Sequence, residues 1–271
     1  MTRERRVAAD VAVLAALALY ATPLLWQLLT SLTPDATIAA GAWPRALSLE
    51  HYRVVVAQSP LPRALGNSAG VALIATALAA GLGVLAAYPL ARLALPGRRL
   101  IMLAVVLSTA FPAIATVAPL YLVVRALGLR DTWAALVLAD ASFALPLMIW
   151  LLVGFLRELP PALEEAAFVD GAGRVAALRH VILPALAPGA AAAALLTFLF
   201  TWNEFLFAYT FTATEASRTA PVALALFPGV FEVPWGDIAA ASILAALPPI
   251  VIVIVLQRHL VRGLLAGSLK D

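Results

Sequence analysis

The sequence predicts an all-α membrane protein with six transmembrane helices, on two observations. Of the 271 residues, 63% are hydrophobic and only 12% are charged, which leaves more apolar surface than one soluble core of this size could bury. The apolar residues also form continuous runs of about 20 residues, the length of helix that crosses a hydrocarbon core about 30 Å thick. Such runs are too long for barrel strands of roughly ten residues. Because no polar linker separates two halves, we expect one integral domain over residues 1–271.

The positions of the apolar runs define the spans. The first run follows three arginines, but it is longer than a signal-peptide core and has no clear small-x-small cleavage site, so we expect a retained anchor. Prolines inside spans predict kinks or breaks, since each removes a backbone donor. The predicted spans are residues 11–32, 67–91, 100–123, 132–156, 185–211 and 237–257. The prolines within them are Pro23, Pro112, Pro119, Pro146, Pro248 and Pro249.

The distribution of basic residues predicts an orientation in the membrane. With the N-terminus in the cytoplasm, twelve of the eighteen Lys and Arg residues lie on the inner side and six on the outer side. This excess predicts cytoplasmic termini, and it places the loop between the fourth and fifth spans, residues 157–184, in the cytoplasm. The small residues of "GNSAG" (66–70) and "AAGLG" (79–83) would let helix backbones approach closely.

Several classes of protein are excluded or disfavoured by what the sequence lacks. There are no cysteines, which removes disulfides, thiolate catalysis and cysteine-based metal sites. The three histidines are scattered and form no His-Glu-x-x-His helix, so a membrane enzyme is disfavoured and no cofactor or metal is expected on this chain. The net charge of +3 comes from arginines at the ends of apolar runs, which does not indicate nucleic-acid binding.

The polar loop at residues 157–184 predicts two short helices. Pro160 and Pro161 stop the preceding helix and open a new one, whose first turn carries Glu164 and Glu165 near its positive end. Gly171 suits a left-handed cap, and a second helix is expected over residues 173–183, ended by a proline at the membrane. The first helix exposes small residues with carboxylates beside them. This pattern suits docking in a groove of another protein, and equally an ordinary interfacial helix.

The stretch "EAAFVDGAGRVAALRHVILP" resembles the coupling motif of bacterial ABC-importer permeases, which is Glu-Ala-Ala, three residues, Gly, nine residues, Ile, one residue, Leu-Pro. The match includes every fixed position except one, where a valine replaces the isoleucine. The resemblance implies that this loop is the cytoplasmic coupling helix that docks on the ATPase subunit. The residues it implies for this contact are Glu164, Glu165, Ala166, Ala167, Asp170, Gly171, Val181, Leu183 and Pro184.

Other stretches are similar to the carbohydrate-importer branch of that family, the permeases like the maltose-system G subunit. They include "AAYPLARLALPGRRL" (86–100), "TWNEFLFA" (201–208) and "FTATEASRTAPVALA" (211–225), the last similar to trehalose-type disaccharide importers. The family's C-terminal tail reaches the ATPase dimer. The tail residues that the resemblance implies are Gly267, Ser268, Leu269 and Lys270.

Two carboxylates, Asp140 and Glu204, lie within predicted spans, where a charge costs at least about 2.5–3.5 kcal/mol on insertion scales. We therefore expect both to face the bundle interior or a wet cavity. With Trp202 and Asn203, they are candidates for lining a translocation path, since aromatic faces with polar neighbours suit sugars. A hydrogen-bond network between helices is the alternative, and Thr109 and Asn67 are weaker candidates.

The resemblance implies a permease subunit of an ATP-driven importer in the bacterial cytoplasmic membrane. Its expected partners are a second permease in a heterodimer, a cytoplasmic ABC ATPase dimer that uses ATP and Mg²⁺, and an extracytoplasmic sugar-binding protein. The expected cargo is a disaccharide such as trehalose or maltose, or a short oligosaccharide. No phosphate-binding Gly-rich loop with Lys occurs here, so ATP chemistry is expected in the partner. The alternative is a self-contained secondary transporter that uses Asp140 and Glu204 as proton carriers, although no internal repeat supports it.

Overall fold

The computed structural model describes residues 3–227 and 233–268, and within them every regular element is helical. Five of the described helices are long and apolar enough to cross a membrane, and a sharply bent pair makes a sixth if it is counted as one span. The all-α class predicted from the sequence is confirmed. The helices are α1 (Arg3–Ser31), α2 (Asp35–Ala39), α3 (Glu50–Gln58), α4 (Leu61–Arg92), α5 (Arg98–Thr109), α6 (Ala113–Ala126), α7 (Trp133–Glu158), α8 (Ala162–Val169), α9 (Arg174–Ala177), α10 (Leu183–Trp202), α11 (Leu206–Phe211), α12 (Ala220–Ala225) and α13 (Trp235–Ser268).

The chain divides into two compact units. The first consists of Met1–Pro62 and Ala223–Leu247, and the second of Arg63–Val222 and Pro248–Asp271. The junctions between these units fall inside helices, and no polar linker was predicted at these positions. The single domain over residues 1–271 stays a prediction.

In the second unit, α7 runs through two apolar clusters. Its first half packs Leu136 against Val71 of α4 and Phe207 of α11. Its second half packs Met148 and Leu152 against the end of α4 and the start of α10. Since α7 buries the largest share of its residues among the long apolar helices, the other helices of this unit are positioned around it.

The third predicted span, residues 100–123, is not one straight helix. The chain bends by 91° between α5 and α6, at a break that contains Pro112. Proline has no backbone N–H, and it disfavours helical geometry at the preceding residue, Phe111. The break expected at Pro112 is therefore found, whereas Pro23, Pro119 and Pro146 lie inside helices that continue past them.

The fifth predicted span, residues 185–211, also differs from a single helix. Helix α10 ends at Trp202, and α11 begins only at Leu206. The carboxylate of Glu204 accepts hydrogen bonds from the backbone N–H groups of Phe207 and Ala208, at 2.8 and 3.0 Å. Such caps start a new helix, because they satisfy N–H groups that have no partner within it.

The expected end of a helix at Pro184 is wrong. A π-helical turn, Leu178–Ile182, joins α9 directly to α10, so the helical chain continues through Pro184. The N–H of Leu183 bonds to the carbonyl of Leu178, five residues back. A proline in the first turn of α10 costs little, because its missing N–H would have no partner within that helix anyway.

Candidate functional site

Helix α8 divides the predicted coupling residues into a buried set and an exposed set. Glu164 and Ala167 are buried, at 8% and 6% exposed. The side chains of Glu165, Ala166 and Asp170 on the same helix are exposed. The two neighbouring glutamates therefore have different surroundings, although the sequence grouped them together.

The buried carboxylate of Glu164 is held by the end of α4. The hydroxyl of Tyr88 donates a short hydrogen bond to its Oε1. The Nε of Arg92 lies 3.6 Å from its Oε2, and the same guanidinium donates from Nη2 to the carbonyl of Leu159 at 2.8 Å. Because this charge is buried and paired with a guanidinium, removing Arg92 is expected to cost about 3–5 kcal/mol. Tyr88 and Arg92 were not among the predicted site residues, although the stretch that contains them, 86–100, was among those matched to the family.

Beyond α8, the loop turns where the sequence placed its cap. Gly171 has a φ of +83°, a left-handed conformation that glycine adopts without a side-chain clash. In the π-helical turn that follows, Ile182 is fully buried, whereas the flanking Val181 and Leu183 are half-buried and Pro184 is exposed. The residue that anchors this end of the loop in the core is therefore Ile182, which lies between two motif positions.

Residues Gly267 and Ser268 of the predicted tail belong to the last turn of α13, which ends at Ser268. Leu269 and Lys270 lie outside the described residues.

Three of the four candidate path residues lie on one cavity of about 760 Å³ between α6, α7 and α10. Its wall includes Asp140, Asn203 and Glu204, among mostly aromatic and aliphatic side chains. A second cavity, of about 780 Å³, shares the apolar side chains of Phe143, Leu147 and Phe200 with the first and includes Thr109, but none of the four candidate path residues lines it. Trp202 is placed differently, because it packs against Phe198 and Ala72 in a separate apolar cluster and is 5% exposed.

The two carboxylates on this cavity differ in what they bind. Glu204 caps α11 through both oxygens, which is a structural contact within the chain. Asp140 is 2% exposed, and among the described residues its Oδ1 has no hydrogen-bond partner. A buried polar atom without a partner carries a large desolvation cost, so Asp140 is the candidate that the local structure does not explain.

At the opposite end of α4 from Tyr88, a polar cluster organises the loop over residues 212–219. Asp131 accepts hydrogen bonds from the backbone of Ala213 and Thr214 and from the hydroxyls of Thr214 and Ser217. Burial alone would raise the pKa of the Asp131 carboxyl, but these hydrogen bonds outweigh it and hold that pKa well below its usual range.

Two residues near the start of α4 hold the same loop. The amide of Asn67 donates to the carbonyls of Arg218 and Ala216, at 2.8 and 3.1 Å. The hydroxyl oxygen of Ser68 accepts from the N–H of Ala220 at 2.8 Å. Asn67 therefore supports this loop, which explains its burial without a contact to cargo.

Among the described residues, no three His, Asp or Glu side chains lie close enough together to hold a metal ion.

The comparisons with known proteins agree on one family. The family described as binding-protein-dependent transport system inner membrane component matches residues 79–265. The trehalose transport system permease protein SugB of Mycobacterium tuberculosis is 46% identical over 92% of this chain and 92% of its own. The sulfoquinovosyl glycerol transport system permease protein SmoH of Agrobacterium fabrum is 40% identical over 92% of this chain and 88% of its own. The trehalose/maltose transport system permease protein MalG of Thermococcus litoralis is 37% identical, with 92% and 91% covered.

A solved structure has the same fold. A chain from the crystal structure of a bacterial ABC transporter involved in the import of the acidic polysaccharide alginate matches with a TM-score of 0.79 and 21% identity. The match covers 95% of this chain and 98% of that one. Together with the family match over residues 79–265, these relatives establish that the chain belongs to the inner-membrane permease components of binding-protein-dependent transport systems.

Proposed function

We propose that this chain is one of two permease subunits of an ATP-driven sugar importer in the bacterial cytoplasmic membrane, with both termini in the cytoplasm. A second permease pairs with it as a heterodimer, and an extracytoplasmic binding protein delivers the sugar. A cytoplasmic ABC ATPase dimer binds ATP and Mg²⁺. In this proposal, closure of that dimer is passed to the membrane through α8, because ATP binding favours one geometry of the ATPase and the contact carries that preference onward.

The observation that supports this function most directly is the exposed face of α8. That face presents Glu165, Ala166, Phe168 and Val169, with Val169 88% exposed. An apolar ridge with a small residue and a carboxylate suits a groove on another protein. The burial of Glu164 on the other side fixes which face points outward.

The test replaces Glu165 with Arg in the complex of both permeases and the ATPase. We expect Glu165→Arg to reduce ATPase capture and sugar-stimulated hydrolysis, because a cation would meet the surface that now receives a carboxylate. Glu158→Arg is the matched control, since Glu158 is also exposed and lies at the end of α7, just before α8. Unchanged assembly and stimulation in Glu165→Arg would exclude α8 as the coupling element.

For the cargo, we propose a disaccharide such as trehalose or maltose, or a short oligosaccharide. The support comes from two relatives that match this chain over more than 90% of its length, a trehalose permease and a trehalose/maltose permease. Mass spectrometry of the ligand retained by the copurified binding protein tests this. Competition of labelled trehalose uptake by maltose and by sulfoquinovosyl glycerol, the cargo named for a 40% identical relative, separates the alternatives.

For the path through the membrane, we propose that Asp140 lines it together with Asn203 and Glu204. Asp140 is the residue to change first, since Glu204 is already engaged as a helix cap. Asp140→Asn keeps the shape of the side chain and is expected to lower uptake while the complex still assembles. If uptake is unchanged, Asp140 is a structural residue of the bundle.

The unpaired oxygen of Asp140 also supports a second candidate, a proton-coupled transporter that works without an ATPase. This chain alone in liposomes with an imposed proton gradient separates the two functions. Sugar uptake there would favour the second candidate, and uptake that requires the ATPase and ATP favours the importer.

A further inference from the structure

We propose that α4 is a strut that carries the displacement of α8 to the loop over residues 212–219 and to Ala220, the first residue of α12, on the other side of the membrane. This inference rests on the proposed docking of α8 on an ATPase. It follows from two polar contacts that hold opposite ends of one helix, each to a segment far away in sequence.

At one end, Tyr88 and Arg92 hold Glu164 of α8. Tyr88 is 7% exposed, and the side chains of Arg92 and Glu164 are 10% and 11% exposed. The hydrogen bond from Tyr88 joins residues 76 positions apart. Chain continuity connects α8 to α7 and to α10, whereas this buried contact connects it to α4.

At the other end, Asn67 and Ser68 hold the loop. Asn67 is 5% exposed and donates to the carbonyl of Arg218 at 2.8 Å, across 151 positions. Ser68 is 3% exposed and accepts from the N–H of Ala220 at 2.8 Å. The loop itself is exposed at Glu215, so it is available to a partner on that side.

The helix between the two contacts matches the thickness of a membrane. Asn67 and Tyr88 are about 32 Å apart along the axis of α4, since each helical residue adds about 1.5 Å, and the hydrocarbon core is about 30 Å thick. Along this length α4 packs on α7, with Val71 in the apolar cluster of Leu136 near one end and Leu90 in the cluster of Leu152 near the other. A continuous, packed helix with hydrogen bonds at both ends can couple two sites, because each site can shift the position of the same helix.

Tyr88 and Ser68 are therefore positioning residues, one at each end of the strut. Tyr88→Phe removes the hydroxyl that binds Glu164 of α8. Ser68→Ala removes the hydroxyl that binds the N–H of Ala220. Tyr20→Phe is the matched control, since Tyr20 is 78% exposed on α1. The measurement uses the complete transporter, with its second permease, ATPase and binding protein. The readout is the ratio of ATPase activity with liganded binding protein to that without it.

We expect Tyr88→Phe to lower this ratio about ten-fold while ATPase capture is retained, because it removes a hydrogen bond to a charged carboxylate. Ser68→Ala should lower the ratio less, about three-fold, because the hydrogen bond from the N–H of Ala220 to Ser68 joins two neutral groups. Because the two contacts act in series, the double variant should fall no further than the lower single variant. Non-additivity is a readout that loss of stability alone would not give. Melting temperatures identify variants that fail to fold. If Ser68→Ala fails to fold, Asn67→Ser is used instead, because it removes another hydrogen bond between α4 and the same loop.

The outcomes separate the strut from the proposed function. If both single variants keep full stimulation, or if their losses multiply in the double variant to about thirty-fold, the strut is overturned and the proposed function stands. If the wild-type chain captures no ATPase, the proposed function fails, and the strut fails with it.

Discussion

The imidazole of His51 lies between two oxygen acceptors, with Nδ1 2.7 Å from Oδ1 of Asp237 and Nε2 3.0 Å from the carbonyl oxygen of Thr33. Neither a carbonyl nor an ionised carboxylate can donate a hydrogen bond, so both contacts are hydrogen bonds only when both ring nitrogens carry protons, and this arrangement favours the cationic ring. His51 is 3% exposed, and the exposed Asp35 lies 3.8 Å from Nε2. Burial by itself lowers the pKa of His51. The hydrogen bonds to Asp237 and Thr33 and the charge of Asp35 outweigh that effect and raise the pKa above 6.5.

A pH dependence of stability follows from this cation. Because the folded-state pKa of His51 is raised, its contribution is complete below about pH 6.5 and is lost as the pH rises through the folded-state pKa. We expect the melting temperature of the purified complex to fall over that range, and the fall to be smaller in His51→Gln. His180→Gln is the control, since His180 is exposed. Equal pH dependence in wild type and His51→Gln would show that His51 is not the cation responsible.

The glycines of "GNSAG" differ in how closely they are packed. A Cβ at Gly70 would overlap the indole ring of Trp133, whereas a Cβ at Gly66 would have no neighbour within 4 Å. Gly70→Ala should therefore destabilise the protein by about 1–3 kcal/mol through overpacking. Gly66→Ala should be neutral or stabilising by up to about 1 kcal/mol, because alanine favours the helix. Thermal unfolding of the two variants measures this difference, and equal effects would mean that α4 and α7 are not in contact there.

The loop over residues 212–219 depends on the charge of Asp131. Asp131→Asn keeps the size of the side chain but weakens its hydrogen bonds to Ala213, Thr214 and Ser217. We expect hydrogen exchange at the amides of Ala213 and Thr214 to rise about ten-fold, which corresponds to about 1.4 kcal/mol per lost charged hydrogen bond. Asp10→Asn, an exposed carboxylate on α1, serves as the control. The pKa of Asp131 is lowered, so in wild type the protection is complete above about pH 4 and is lost only in stronger acid.

The proposed topology can be tested with single cysteines, since the chain has none of its own. Val169 on α8 and Glu215 on the 212–219 loop are both exposed. A membrane-impermeant maleimide should label Glu215→Cys in intact cells and Val169→Cys only in inside-out vesicles from cells that lack the ATPase, since the docked ATPase would cover Val169. Labelling of both sites from the same side would contradict cytoplasmic termini and the six-span arrangement.

Trp202 should behave as a core residue and not as part of the path. It is 5% exposed and packs against Phe198, with ring centroids 5.7 Å apart. Trp202→Ala is expected to destabilise the protein by about 3–5 kcal/mol, the usual cost of deleting a buried aromatic side chain. Asn203→Ala, at the exposed neighbouring position, should change the melting temperature little. A stable Trp202→Ala variant with altered sugar selectivity would instead place Trp202 on the path.

The sequence by itself determined the features that depend on local chemistry. The lengths of the apolar runs specify helices in a bilayer. The prolines at 160 and 161 and the glycine at 171 mark the beginning and end of α8, because proline restricts the backbone and glycine frees it whatever the surroundings. The motif at residues 165–184 identified the family for the same reason, since its spacing can be read without knowing what packs beside it.

Only the tertiary structure decided which of several neighbouring side chains are buried. Glu164 and Glu165 are identical in chemistry, yet one binds Tyr88 and Arg92 while the other is exposed. The predicted path residues Trp202 and Glu204 also differ: Trp202 is buried in an apolar cluster with Phe198, whereas Glu204 caps α11 and lies on the wall of a cavity. The partners of Glu164 are about 70 or more positions away along the chain, and the rotation of a helix about its axis is fixed by the helices packed around it, which no local pattern encodes.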